Sequence, residues 1–360
     1  MRKIILIILP AVLLLTAGCT LSLPGCEKPD TSGGIFRSDD GGKSWTQKVY
    51  FNEEHNLGAV DILDLEMDPK NPDLLYAGSA GHGLFVSKNS ADNWEKVTDE
   101  NNLFHSQASI YDITIDSNNS DRLYVASLFG SRSKIFKSED KGKTWQDIYT
   151  EPQIEHYITQ IKVNPINSNL LYAGSTTGGF LRSEDGGENW ILTKWLKAQV
   201  SKIIFSPYNH NEVYIYLGGD ENTIIKTYDK GETWKSLNLS EVKGSIDEFY
   251  ISSSVKGLMY LTTSYSLYES RDSGKTWEII NNPIAPGAIS IRSFAQDPRN
   301  PQILYFTASS SVYKSKDYGQ SWTVYKIGTK GYIGKFIIDP KDSNIIYSVV
   351  KLPPKKGLFS

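Results

Sequence analysis

Cysteine is almost missing from this chain: Cys19 and Cys26 are the two in 360 residues. A disulfide framework therefore cannot support the fold. Neither sign of charge dominates, with 38 Lys and Arg against 41 Asp and Glu, and no basic run interleaves with aromatics, so nucleic acid is not an expected partner. The five histidines form no His-x-His or His-Glu-x-x-His spacing, and neither a Gly-x-Ser-x-Gly elbow nor a phosphate loop occurs. Metal-assisted hydrolysis, acyl transfer and nucleotide chemistry find no foothold, and no metal or cofactor is expected. Long apolar runs are missing too. The run from Ile4 to Leu15 is shorter than the roughly 20 residues that cross a bilayer as a helix.

That run follows Arg2 and Lys3 and leads into Thr16, Ala17, Gly18 and Cys19, the layout of a secretory signal peptide. The order small, small, Gly, Cys resembles a bacterial lipobox. The resemblance implies cleavage before Cys19, lipidation of its sulfur, and an exported protein lipid-anchored to the bacterial cell envelope. Two or more acyl chains, each contributing ~0.8 kcal/mol per buried CH₂, hold a protein on a membrane where one does not. An ordinary signal peptide with a small Cys19 to Cys26 disulfide is the alternative. The division that follows is a signal peptide at 1–18, a lipid-anchored linker at 19–33 and one repeat domain at 34–360.

What is abundant is repetition. The pattern Ser-x-Asp-x-Gly-x-x-Trp occurs as Ser38, Asp40, Gly42, Trp45; as Ser138, Asp140, Gly142, Trp145; and as Ser183, Asp185, Gly187, Trp190. It returns as Ser270, Asp272, Gly274, Trp277 and as Ser315, Asp317, Gly319, Trp322. Two copies are altered: Thr227, Asp229, Gly231, Trp234 exchanges one hydroxyl for another, and Ser87, Asn89, Ala91, Trp94 loses the carboxylate and the glycine. The tryptophans are spaced by roughly 43 to 51 residues, close to the period of a propeller blade. Trp195 alone stands outside the pattern.

Each box lies between two strand-like runs, which predicts a hairpin turn. In such a turn a carboxylate can accept bonds from successive N–H groups, glycine relieves a positive φ, and tryptophan covers the hairpin. Upstream sit proline turns such as Asp68-Pro69 and Asp297-Pro298, each followed by a strand with a tyrosine, as in Leu75-Tyr76-Ala77-Gly78. One unit is thus inner strand, proline turn, tyrosine strand, box hairpin, outer strand. Six complete units follow, with two outer strands near the N-terminus and two inner strands near the C-terminus. Joined, the halves make a seventh unit and close the ring, which removes open sheet edges. The predicted fold is all-β: a single seven-bladed β-propeller of four-stranded antiparallel blades.

From Ile35 onward the chain resembles the Asp-box, or BNR-repeat, β-propellers, which include sialidases, xyloglucanase-type glycoside hydrolases, sortilin-type receptors and photosystem II assembly factors. The motif marks an architecture and not an activity. The resemblance implies peripheral box hairpins on the face away from the usual binding site, so the box residues are read as structural and none as catalytic.

Functional residues are expected on the opposite face, in the connections between blades and the turns after the tyrosine strands. Candidate binding residues there are Glu53, His55, His82, His105, Glu155 and His156, with the basic segment Gly130 to Lys134 as a second candidate. The leading expectation is a non-catalytic, monomeric envelope lipoprotein that binds a protein or glycan and meets the membrane through its anchor. The alternative is a glycoside hydrolase using acids of the same loops, Glu53, Glu54, Asp99 and Glu155.

Overall fold

The computed structural model describes residues 32–51 and 56–353. The signal peptide, Cys19, Cys26, nearly all of the linker, the loop residues Glu53, Glu54 and His55, and the tail 354–360 lie outside the described residues. What is described is twenty-eight strands and one short 3₁₀ turn, Leu57–Ala59. The strands form seven four-stranded antiparallel sheets, the blades predicted from the repeat. Blades 1 to 6 occupy residues 62–96, 109–150, 158–195, 200–236, 246–279 and 293–326. Blade 7 joins the inner strands Tyr332–Ile338 and Ile346–Lys351 to the outer strands Gly34–Ser38 and Thr46–Gln47. Its seam pairs Gly34 with Val350 and Ser38 with Ile346.

The box turn is built as its residue types require. In blade 2, Ser138 Oγ accepts from the N–H of Gly142 at 2.8 Å and donates to Asp140 Oδ1 at 2.8 Å. Asp140 then accepts from the N–H groups of Lys143 and Thr144 and from the Thr144 hydroxyl. Two consecutive residues carry positive φ, Lys141 at 62° and Gly142 at 87°, and Trp145 Nε1 donates back to the Gly142 carbonyl at 3.1 Å. The altered copy in blade 1 keeps the turn: Asn89 Oδ1 accepts from Ser87 Oγ and from the Asn93 N–H, and Ala91 takes the left-handed conformation at φ 67°. Its Trp94 turns away and donates to Lys48 O.

The left-handed pair exposes the carbonyl before the box glycine, and in five of the seven blades the preceding blade holds it. Tyr76 and Tyr124, from tyrosine strands, donate to Lys141 O and Gly186 O at 3.2 and 3.5 Å. Arg37 and Arg182 do the same to Ser90 O and Lys230 O, and Tyr305 with Lys314 reaches Gly41 O. The proline turns form a second lock. Asp68 Oδ1 accepts from Lys70 N–H, Asn71 N–H and, from the next blade, Ser120 Oγ; Asp297 repeats this with Ser343.

Between these polar locks lies apolar packing. Because a tyrosine strand is covered by a neighbouring blade on each side, all five residues of Leu75–Ser79 are buried. Glycine closes this strand for lack of room: a Cβ on Gly78 would meet Ile110 of the next blade at 2.8 Å, and one on Gly174 would meet Val200 at 2.2 Å. Trp145 is fully buried in the seam with blade 1, stacked on Phe104 at 4.9 Å. Burial of an aliphatic or aromatic side chain of this kind contributes roughly 1.5–3 kcal/mol.

The box carboxylates make stability depend on pH. Bonds from the hydroxyl and N–H of the fourth residue hold Asp229 and Asp317 at about 2. At Asp40 slight burial favours the neutral acid, yet the Ser44, Ser38 and Lys43 bonds still bring it to about 2. A carboxyl depressed in the folded state adds stability that is present above its unfolded value near 4 and is lost as pH falls through about 2. Melting temperature is therefore expected to fall most steeply between pH 4 and 2. Replacing Asp40, Asp229 and Asp317 together by Asn should flatten that slope while preserving the fold, as Asn89 does in blade 1; an unchanged slope by thermal melts would refute the assignment.

Candidate functional site

The ring leaves a central channel lined by the first strand of each blade. In six of the seven inner strands the register slips between the first and third positions counted from the leading Ile or Val, as at Ile62/Asp64 and Ile110/Asp112. Such a bulge bends a strand and re-aims its side chains. Among the third-position residues, Asp64, Asp112, Gln160, Lys202, Glu248 and Lys335 line an opening of about 290 Å³. A second opening, of about 400 Å³, has Glu66, Lys202, Glu248 and Lys335 against Tyr250, Phe294 and Phe336.

Two kinds of bond satisfy this polar lining. Three of the four third-position acceptors reach the next blade's backbone: Asp64 accepts from Ile113 N–H at 2.9 Å, Asp112 from Ile161 N–H at 2.7 Å and Gln160 from Ile203 N–H at 3.4 Å. Lysines pair with the carboxylates, Lys162 with Asp112 at 2.8 Å, Lys335 with Asp64 and Lys202 with Glu248. Burial raises Asp112 to about 6 in spite of Lys162. At Asp64 burial acts in the same sense, but Lys335 and Lys162 outweigh it and the carboxyl is lowered. Glu66 has no lysine of its own, and burial lifts it to about 7. Lys202 falls to about 7, by burial and then by repulsion from Lys335 and Lys162. Although protein encloses Lys202, 36% of its side-chain surface faces the channel, so channel water tempers these effects.

Strand direction puts the blade-to-blade connections and the turns after the tyrosine strands on one face, opposite the boxes. His82, His105, Glu155 and His156 all fall there. His82 is exposed in the turn 80–83, with Nδ1 2.8 Å from Ala80 O. His105 lies stacked on Phe129, ring centres 3.4 Å apart. The basic segment's Arg132 and Lys134 line the same pocket as His105 and Phe129, so two separate candidates become one place. Glu155 is exposed with φ 65°. His156 sits 3.3 Å from Thr177 Oγ1, its ring 6.1 Å from that of Trp195. Glu53 and His55 are outside the described residues. Tyr111 and Tyr157, from blade 2 and the connection into blade 3, stack at 6.5 Å.

Asp99, a candidate acid, is occupied otherwise: its carboxylate caps the N–H groups of Asn101, Leu103 and Phe104. At the channel mouth on this face Asp61 faces Lys351 at 3.7 Å and Asp247 faces Arg292 at 4.0 Å. Sequence reasoning missed the channel groups, Phe129 and the role of Trp195. A signal for the channel did exist, since a polar residue recurs two positions after the first Ile or Val of most inner strands.

The repeated box, the seven blades and the seam between chain ends define an Asp-box (BNR) repeat β-propeller, and this chain is one. A family model described as photosynthesis system II assembly factor YCF48 matches residues 153–299. An oligoxyloglucan-reducing end-specific xyloglucanase from Emericella nidulans is 27% identical over 216 residues, 54% of this chain and 26% of that protein. Mouse sortilin is 25% identical over 267 residues, 70% of this chain and 30% of that protein. This chain thus spans about a quarter to a third of these curated relatives. A solved structure of YCF48 bound to D1 peptide superposes with TM-score 0.64 at 15% identity, covering 83% of this chain and 94% of that one, a likeness of fold.

The channel pairs should be structural. Lys162→Met leaves Asp112 buried beside no cation and is expected to cost about 3 kcal/mol in chemical unfolding. Adding Asp112→Asn, which keeps the acceptor for Ile161 N–H, should recover most of it. Failure of the second change to rescue the first would disprove the pairing.

Proposed function

We propose that this propeller is a non-catalytic binding module, an envelope lipoprotein anchored through Cys19 that holds a protein or glycan on the face opposite the boxes. The observation that carries the reading is three ring pairs in blades 2 and 3, His105 with Phe129, Tyr111 with Tyr157 and His156 with Trp195. Phe129 and Trp195 leave 48% and 45% of their surface exposed. Exposed aromatic surface of this kind costs solubility and marks an interaction surface. A related propeller solved with a D1 peptide supports a protein partner. The leader's likeness to a lipobox supports the envelope location, and the ring, whose blades end in outer strands of two to five residues, leaves only short edges, which supports a monomer.

A glycoside hydrolase is the second reading, favoured by the likeness to a xyloglucanase. Hydrolysis needs two carboxyl groups about 5 to 9.5 Å apart flanking the scissile bond. Of the acids described near this face, Asp61 and Asp247 face basic side chains and Asp99 is a backbone cap, which leaves Glu155 as the one exposed candidate and favours binding over turnover.

Affinity capture and glycan arrays with the wild-type chain and a His105→Ala, His156→Ala, Trp195→Ala variant separate these readings. Ligand retention should fall at least tenfold in the variant at unchanged melting temperature. Full retention would remove this face from consideration, and release of reducing ends from xyloglucan would replace binding by hydrolysis.

A further inference from the structure

The pocket in which His105 meets the 129–134 segment has a chemistry of its own. Its volume is about 310 Å³, and its lining contains Arg132, Lys134 and His105 with no acid. Lys134 is matched by Asp147 at 2.5 Å. Arg132 is not matched: Nη1 donates to the carbonyls of Glu151 and Pro152 at 3.3 and 3.1 Å, and among the described residues no carboxylate lies within ion-pair distance. Two main-chain acceptors thus hold a guanidinium in place and leave its charge open. A guanidinium so fixed suits a planar carboxylate, which accepts two parallel N–H bonds.

Beside it stands a flat platform. His105 and Phe129 are stacked with 16° between their planes, and Phe129 is half exposed. Aromatic faces of this kind take ligands with a flat apolar side and polar edges. The strand beneath, Arg132–Ser138, is paired on both sides, with Leu123–Phe129 and with Gln146–Thr150. It therefore offers no free main-chain row to an extended peptide, which needs an unpaired strand edge for that mode of binding. The pocket has room for one ring.

We propose that this pocket binds a carboxylated sugar residue of the hexuronate class, its C–H face on Phe129 and its carboxylate on Arg132. The assignment rests on the binding reading above and narrows it to an acidic saccharide.

Calorimetric titration of the full chain with trigalacturonate, its methyl ester and a Glu-rich peptide tests it. Trigalacturonate should bind, with the ester at least tenfold weaker and the peptide weaker still. Arg132→Gln should weaken trigalacturonate roughly tenfold, the worth of one charge-assisted pair, at unchanged melting temperature. Phe129→Ala should weaken acid and ester alike. No binding of trigalacturonate at millimolar concentration, equal affinity for the ester, or preference for the peptide would each overturn the proposal. If these fail while capture by the wild-type face is still lost in the His105, His156, Trp195 variant, the sugar assignment falls and the binding reading stands.

Discussion

Closure of the ring depends on five residues from one end of the chain, Gly34–Ser38, pairing in register with Ile346 to Val350 from the other. Without that seam blade 7 would present two bare edges, and the channel would open along its length. With it, each blade is held on both sides, and the tyrosine strands can be apolar on both faces. The seam also joins two distant stretches of sequence, so loop-closure entropy opposes it. The packing of Ile35 with Tyr347 and Val349, and of Phe36 with Phe336 and Ile346, offsets that entropy.

The same geometry explains why the repeat is so wordy. A box is a hairpin that must also present one carbonyl to its neighbour. Serine and aspartate tie the turn, two left-handed residues turn the carbonyl outward, and in five of the seven blades Tyr, Arg or Lys of the preceding blade captures it. Asn89 and Ala91 show which parts of the motif are dispensable. The Asn89 amide oxygen accepts from the serine hydroxyl and the N–H four residues on, as Oδ1 of the carboxylate does, and the bond to the second carboxylate oxygen is given up; alanine tolerates a left-handed φ at a cost near 1 kcal/mol. The box acids are thereby fully engaged at the blade edge, and the chemistry of the protein is left to the channel and to the opposite face.

These two regions differ in kind. The channel holds Asp64, Asp112, Lys162, Lys202, Glu248 and Lys335 as mutual partners, a lining that the fold itself creates and must neutralise. The opposite face carries Phe129, Arg132 and Trp195, whose exposed apolar surface or open charge the fold does not need. Surplus of that sort is the usual mark of recognition, because a folded chain keeps few such groups exposed without a use.

Much of this was legible in the residues alone. Box spacing determined the blade count, the hairpins and the two-plus-two seam, since each is a local pattern repeated at a fixed period. Strand direction then assigned His82, His105, Glu155 and His156 to one face. Tertiary structure alone decided the rest. Tyr76 proved to be a lock and not merely a core residue, Gly78 a gap left for Ile110, and Lys162 the counterion of Asp112 fifty residues earlier. It also joined His105 to Arg132 and His156 to Trp195. Those pairings depend on how adjacent blades are wedged together, and a one-dimensional period gives the order of the blades but not which side chains meet across the gap between them.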